Sequence, residues 1–158
     1  MTIDALLPDD WPAVLRIYQE GLDTGTFEEL IPTWEEWDTG HLVWPRLVAR
    51  EDGEVLGWAA LAPYSRRACY RGVAEDSIYI ARSARGRAVG RALLERLCAE
   101  ADGAHIWTIQ ASILSGNDAS VALHTGCGFR VVGVRERLAR KRGEWRDVIL
   151  MERRSTQV

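Results

Sequence analysis

The stretch from Ser77 to Ala101 restricts the possible folds more than any other part of the chain. Ser77-Ile78-Tyr79-Ile80 is a short apolar run of β-branched and aromatic residues and reads as a buried strand. It enters an arginine- and glycine-bearing turn, and a helix follows from about Ala88 or Val89 to Ala101. On that helix Leu93, Leu94, Leu97, Cys98 and Ala101 share one face, and Gly103 closes it. Ile106-Trp107-Thr108-Ile109-Gln110-Ala111 then reads as another strand. A strand, a helix and a strand in this order predict a parallel crossover, so the sheet belongs to an α/β chain.

The flanking segments fill in the sheet. Thr2 to Leu7 alternates as a strand does, and Asp9-Asp10 caps a helix that has Pro12 in its first turn and ends at Gly25. Thr33 followed by Glu36 is a capping box and predicts a short helix over Trp34 to Asp38. Leu47-Val48-Ala49 and Val55 to Leu61 flank Asp52-Gly53, a hairpin signal. A further helix runs from Asn117 to Thr125 with Asn117 or Asp118 as its cap. Arg130 to Val134 and Trp145 to Glu152 read as final strands paired across Arg142-Gly143. The expected architecture is one α/β domain over residues 1–158, mixed and mostly antiparallel in its sheet, with a tail frayed from Arg153.

A chain of 158 residues with 47% hydrophobic and 27% charged residues can bury a core without disulfides. Cys69, Cys98 and Cys127 are too few and too scattered for a structural metal site, and Cys98 and Cys127 fit apolar helical patterns. No apolar run reaches the length of a membrane span and no export signal opens the chain, so a cytoplasmic protein without a membrane partner is expected. The net charge of −3 argues against wholesale binding to nucleic acid. Its distribution is more informative: Arg82, Arg85, Arg87 and Arg91 lie within ten residues that contain no acid.

Those arginines surround the turn that opens the helix. Free N–H groups of a helix's first turn, its dipole and small side chains together suit a pyrophosphate. The spacing fits neither a Walker A loop, which needs Gly-Lys-Ser/Thr, nor a Rossmann Gly-x-Gly-x-x-Gly. A tight turn with a solvated basic face is the other reading of the same residues.

Arg85-Gly86-Arg87-Ala88-Val89-Gly90 resembles the acetyl-CoA motif of the GNAT N-acetyltransferases, Arg/Gln-x-x-Gly-x-Gly/Ala, and the element order is also theirs. Ala88 stands where the family usually has its first glycine; because alanine suits helical dihedrals, the phosphate site is expected to survive. Asn117-Asp-Ala-Ser120-Val-Ala-Leu-His124 with Gly128-Phe129 resembles the family's closing helix and turn. Within the family the chain is similar to the phosphinothricin, methionine sulfoximine and arsinothricin acetyltransferases, through Thr26-Phe27-Glu28, Tyr70 to Ile80, the Asn117 helix and Gly143 to Val148.

The resemblance implies an acetyl-CoA-dependent transferase with the GNAT fold, no metal, a small amino-acid acceptor and a homodimer. It implies cofactor contacts at Ile78, Tyr79 and Ile80, at Arg85, Gly86, Arg87, Ala88, Val89, Gly90 and Arg91, and at Asn117 and Ser120. Glu75 matches the family's base, which an ammonium acceptor requires; a surface ion pair with Arg71 is its bland alternative. A backbone N–H at Ile78, Tyr79 or Ile80 would polarise the thioester carbonyl. His124 falls where many members place a tyrosine that protonates the departing sulfur, although a lone histidine on an apolar helix face can also be a core residue. Arg67, Tyr70 and Arg71 would receive an anionic acceptor, with Phe27 as an apolar wall. A peptide N-terminus or another amine such as a polyamine as acceptor, and an acyl-CoA sensor without turnover, are the other readings.

Overall fold

The computed structural model describes residues 1–22 and 30–158. In chain order the elements are β1 (Thr2–Ala5), α1 (Trp11–Leu22), α2 (Trp34–Gly40), β2 (Arg46–Glu51), β3 (Glu54–Pro63), β4 (Val73–Ile80), α3 (Val89–Gly103), β5 (Thr108–Leu114), α4 (Asp118–Gly126), β6 (Arg130–Lys141) and β7 (Glu144–Arg154). The seven strands form one sheet in the order β1-β2-β3-β4-β5-β7-β6. Only β4 and β5 pair in parallel, as the crossover through α3 requires; the other neighbours are antiparallel.

The local signals are realised by hydrogen bonds. Thr33 and Glu36 exchange the two bonds of a capping box at the start of α2. Asp10 receives the Leu7 N–H in the 3-10 turn that leads into α1, and its carboxylate also binds Arg50 at 2.7 Å. The β2–β3 hairpin turns at Asp52 and Gly53, both with positive φ, as a two-residue turn matching strand twist demands.

Helices α1 and α3 cover opposite faces of the sheet. Adjacent residues of a strand point to opposite sides. At β3, the Gly57 position abuts Leu93 of α3, whereas Trp58 stacks on Tyr18 of α1. Val14, Ile17 and Tyr18 on one side and Leu93, Leu94 and Leu97 on the other are buried. Each such side chain contributes roughly 1.5–3 kcal/mol through its burial. Tyr18, Trp58 and Tyr79 form a stacked trio with ring centroids 4.7–5.5 Å apart.

Several boundaries differ from the sequence reading, and three of the differences shape the sheet and its end. β4 begins at Val73, four residues before the apolar run, because Val73 to Glu75 enter the parallel ladder with β5. β6 and β7 extend to Lys141 and from Glu144, giving a long hairpin whose outer strand exposes Val131, Val134 and Leu138. The expected fraying from Arg153 does not extend to its first residues: Arg153 forms a two-pronged ion pair with buried Asp102, and buried Ser155 donates its N–H to Trp107. Asp102 is held below the usual carboxylate range by that arginine.

Candidate active site

The central feature is a divergence of two strands. β4 is bonded to β3 along its whole length, from Ala74 to Ile80. Toward β5 its pairing stops at Glu75↔Gln110, although β5 itself continues to pair with β7 as far as Leu114. From Asp76 to Ile80, the edge of β4 facing β5 therefore has no ladder partner. A cavity of about 810 Å³ opens there, lined by Glu75 to Ile80, Ala111 to Ile113, the turn around Gly86 and residues of α1 and α4. Ile78, Tyr79 and Ile80 all border it; alternation along β4, with Ala81 donating to Leu56 on the β3 side, turns the N–H groups of Ile78 and Ile80 toward the opening, where one could bind a carbonyl. The Tyr79 ring packs against both Tyr18 and Trp58, at centroid distances of 4.7 and 4.8 Å.

Glu75 stands where the strands part. Gln110 donates its amide N–H and Ser112 its hydroxyl, at 3.1 Å, to the same carboxylate oxygen, Oε2. Among the described residues no hydrogen bond reaches Oε1. Two donors on one oxygen orient the carboxylate and leave the other available for a proton. The alternative ion pair with Arg71 is not formed: the Arg71 guanidinium lies over the Trp107 ring, 5.7 Å from its centroid.

At the far end of the cavity is the turn into α3. Gly86 and Ala88 both have positive φ, +73° and +61°, with Arg87 between them. Alternation of left-handed and ordinary residues directs successive N–H groups into a concavity suited to anions. Ala88 is the N-cap of α3, at φ 61° and ψ 9°, with no side-chain cap. The expectation that alanine sits here in helical dihedrals is thus corrected: the turn needs a left-handed residue, and a Cβ there costs roughly 1–2 kcal/mol. No acid occupies the first turn of α3. Gly90 brings Leu123 and Ile80 close enough that a Cβ would meet Leu123 at 3.3 Å.

The arginines of this turn separate into two groups. Arg85 and Arg91 line the cavity, together with Gly86, Ala88, Val89 and Gly90. Arg87 does not; it is paired with Glu51 of the β2–β3 hairpin. Arg91 also pairs with Glu95, one turn along α3. Glu20 of α1 accepts the Arg82 N–H and pins the start of the turn. Free backbone donors, small residues and flanking arginines fit a pyrophosphate, and the adjoining open strand edge fits a thioester.

Helix α4 forms another wall. Asn117 caps it by accepting the Ser120 N–H at 3.3 Å, and both residues line the cavity. His124 is buried, with Nε2 2.8 Å from Asp76 Oδ2 and Nδ1 2.7 Å from the Ser120 carbonyl. Burial acts to lower its pKa, but the hydrogen bond and charge of Asp76 and the Ser120 carbonyl prevail, and the net direction is upward.

The residues expected to receive the acceptor are not gathered at this cavity. Arg67 and Arg71 are exposed, Tyr70 packs edge-on against Tyr64, and none of the three borders the space beside Glu75. Phe27, and with it the Thr26-Phe27-Glu28 stretch, lies outside the described residues. Gln110, Ser112 and Asp76 are the functional neighbours the sequence reading missed. Gln110 and Ser112 are alternate polar residues on an otherwise apolar strand, which is the signal that could have exposed them. Cys98 is a core thiol pushed up to about 12 by burial, and Cys69 is exposed away from Glu75.

Comparison with known proteins decides the family. Residues 9–129 match the model of the acetyltransferase (GNAT) family. The chain belongs to that family. It is 40% identical to a phosphinothricin N-acetyltransferase of Alcaligenes faecalis, over 96% of this chain and 81% of the relative. It is 35% identical to an L-methionine sulfoximine/L-methionine sulfone acetyltransferase of Pseudomonas aeruginosa, over 90% and 88%. A crystal structure of a GNAT phosphinothricin acetyltransferase from Sinorhizobium meliloti, in complex with AcCoA, superposes with a TM-score of 0.87 at 31% identity, covering 97% of this chain and 87% of that one. The seven-stranded mixed sheet is the GNAT fold, and this GNAT chain is an acetyl-CoA-dependent acyltransferase.

Proposed function

We propose that the protein acetylates the α-amine of a small anionic amino acid or analogue, of the phosphinothricin, methionine sulfoximine or sulfone, or arsinothricin kind, with Glu75 as general base. The observation that carries this reading is the position of Glu75: a carboxylate oriented through one oxygen, at the point where β4 leaves β5, in the same cavity as the phosphate-binding turn. The substrate class rests on the relatives, whose named acceptors share an α-amine and a second polar or anionic group.

In the reaction, Glu75 takes one proton from the acceptor ammonium, directly or through water. The freed nitrogen lone pair attacks the thioester carbon and forms the C–N bond. A β4 N–H among Ile78–Ile80 receives the charge that develops on the carbonyl oxygen. The C–S bond then breaks, the thiolate departs, and the nitrogen's surplus proton leaves with it as the thiol. No enzyme nucleophile takes part.

A thiol-release assay with acetyl-CoA over phosphinothricin, methionine sulfoximine, methionine sulfone, arsinothricin, peptides and polyamines tests the substrate class. Turnover of the amino-acid analogues with N-acetylated products is expected. Turnover confined to peptides would remove the proposed acceptor, and tight CoA binding with no turnover of any amine would make the chain a sensor.

A further inference from the structure

The backbone ladder between β4 and β5 ends at Glu75↔Gln110, yet the next residue of β4 is fastened across the gap. Asp76 reaches α4, where its Oδ2 lies 2.8 Å from His124 Nε2. Both side chains are only 2% exposed. Helix α4 follows β5 closely, and its cap residue Asn117 donates its N–H to the Leu114 carbonyl at the end of that strand. This side-chain pair thus spans the opening where strand pairing has been given up.

The acceptors around His124 define its protons. A carboxylate oxygen and a carbonyl oxygen can only accept, so the hydrogen bond at Nε2 and the one at Nδ1 each require an N–H. With both nitrogens protonated the ring is an imidazolium, matched to the Asp76 charge, and neither N–H points into the cavity. The Ser120 hydroxyl, 3.3 Å from Nδ1, adds a weak contact, and Phe129 packs edge-to-face at 5.0 Å.

The geometry points to a positioning role: Asp76 and His124 form a buried ion pair that holds the unpaired edge of β4 and the adjacent Glu75 at the spacing the thioester needs, and His124 is not the proton donor to the departing sulfur. This rests on the proposed acetyl transfer for its consequence, though not for its geometry. Replacing a buried ion pair with apolar residues is often neutral for stability, whereas removing one partner strands a charge. A pair placed where the β4–β5 ladder ends is therefore better explained by the shape it enforces than by stability.

The other groups around the pair come from β4, α3, β7 and the turn after α4. Glu75 is the adjacent residue on β4 and is bonded to Gln110 and Ser112. Cys98 of α3 and Cys127 after α4, which both feel the Asp76 charge, are thiols shifted upward by burial and stay neutral. Arg153 acts on Cys98 from β7 while bound to Asp102. Because the His124 pKa is raised, the pair's contribution is present below the ordinary imidazole value and is lost as pH rises through the folded value.

The test combines 15N spectra of the histidine rings with titration by CoA and by acetyl-CoA, for the wild type, Asp76→Asn and His124→Gln. Both His124 nitrogens are expected to be protonated at pH 7.5 in the wild type and only one in Asp76→Asn. Kd for CoA is expected to weaken about tenfold or more in both variants. In the wild type, KM for acetyl-CoA should rise at alkaline pH with the same midpoint as the ring titration, while kcat changes less. A neutral His124 ring in the wild type at pH 7.5 would overturn the pair, and this readout needs no variant to fold. A His124→Gln enzyme that binds CoA normally but loses kcat would overturn the positioning role in favour of a proton donor. Should no amine be acetylated, the spectra and the CoA titration still decide the pair, so failure of the proposed reaction is distinguishable.

Discussion

Glu75→Gln is expected to lower kcat by about 10²-fold or more, the scale of a general base, while Kd for acetyl-CoA stays within a factor of about two. Glutamine preserves the size of the side chain and can still accept from Gln110 and Ser112 through its carbonyl oxygen. It cannot take a proton from an ammonium. The proposed cofactor contacts lie elsewhere in the cavity, on the open edge of β4 and the Gly86–Gly90 turn, so they should be undisturbed. Steady-state thiol release with a saturating amino-acid acceptor, measured beside calorimetric titration of acetyl-CoA, separates the two effects. An unchanged kcat between pH 6 and 9 would remove Glu75 from the base role; a matching loss of acetyl-CoA affinity would make it a structural residue.

Gly72→Ala should have the largest effect on stability. A Cβ at this position would lie 2.0 Å from Cε3 and 2.3 Å from Cζ3 of Trp107. Neither side can retreat easily. The Gly72 carbonyl accepts the N–H groups of Trp107 and Thr108 at 2.8 and 3.1 Å, and the Arg71 guanidinium covers the indole ring. The parallel ladder begins one residue later, at Val73↔Thr108, and reaches Glu75↔Gln110 two residues beyond. Overpacking of this severity costs about 3 kcal/mol, which lowers Tm by about 10 °C in a chain of this size. Because the strain sits on the short β4–β5 ladder, activity should fall with stability. Thermal unfolding checks this, and Gly72→Ala combined with Trp107→Leu should recover most of the lost Tm. A single variant with wild-type Tm would show that Trp107 is not held against Gly72.

What could be read from the sequence was whatever depends on neighbours along the chain. The Thr33–Glu36 box, the Asn117 cap and the Asp52-Gly53 turn join residues three or fewer apart, and their geometry follows from residue type. The strand, turn and helix around Gly86 was legible for the same reason. Contacts between distant residues were not. Glu75 is held by residues 35 and 37 positions away, and Asp76 meets His124 across 48. Arg87 and Arg71 looked alike as cations beside a site, yet Glu51 takes one and Trp107 the other. Charge patterning shows that a cation is present but not which distant partner folding brings to it. Ala88 was misread because its propensity favours a helix, whereas the turn imposes a left-handed backbone.

The central claim is that acetyl-CoA binds along the opening between β4 and β5, from Glu75 to the turn at Gly86. Amide shifts of 15N-labelled protein during titration with acetyl-CoA test it most directly. The largest changes are predicted at Ile78–Ile80, Gly86–Gly90 and Asn117, with little movement at Arg71 and Trp107. Changes centred on Arg71 and Trp107, with the β4 edge and the Gly86 turn unmoved, would contradict the account.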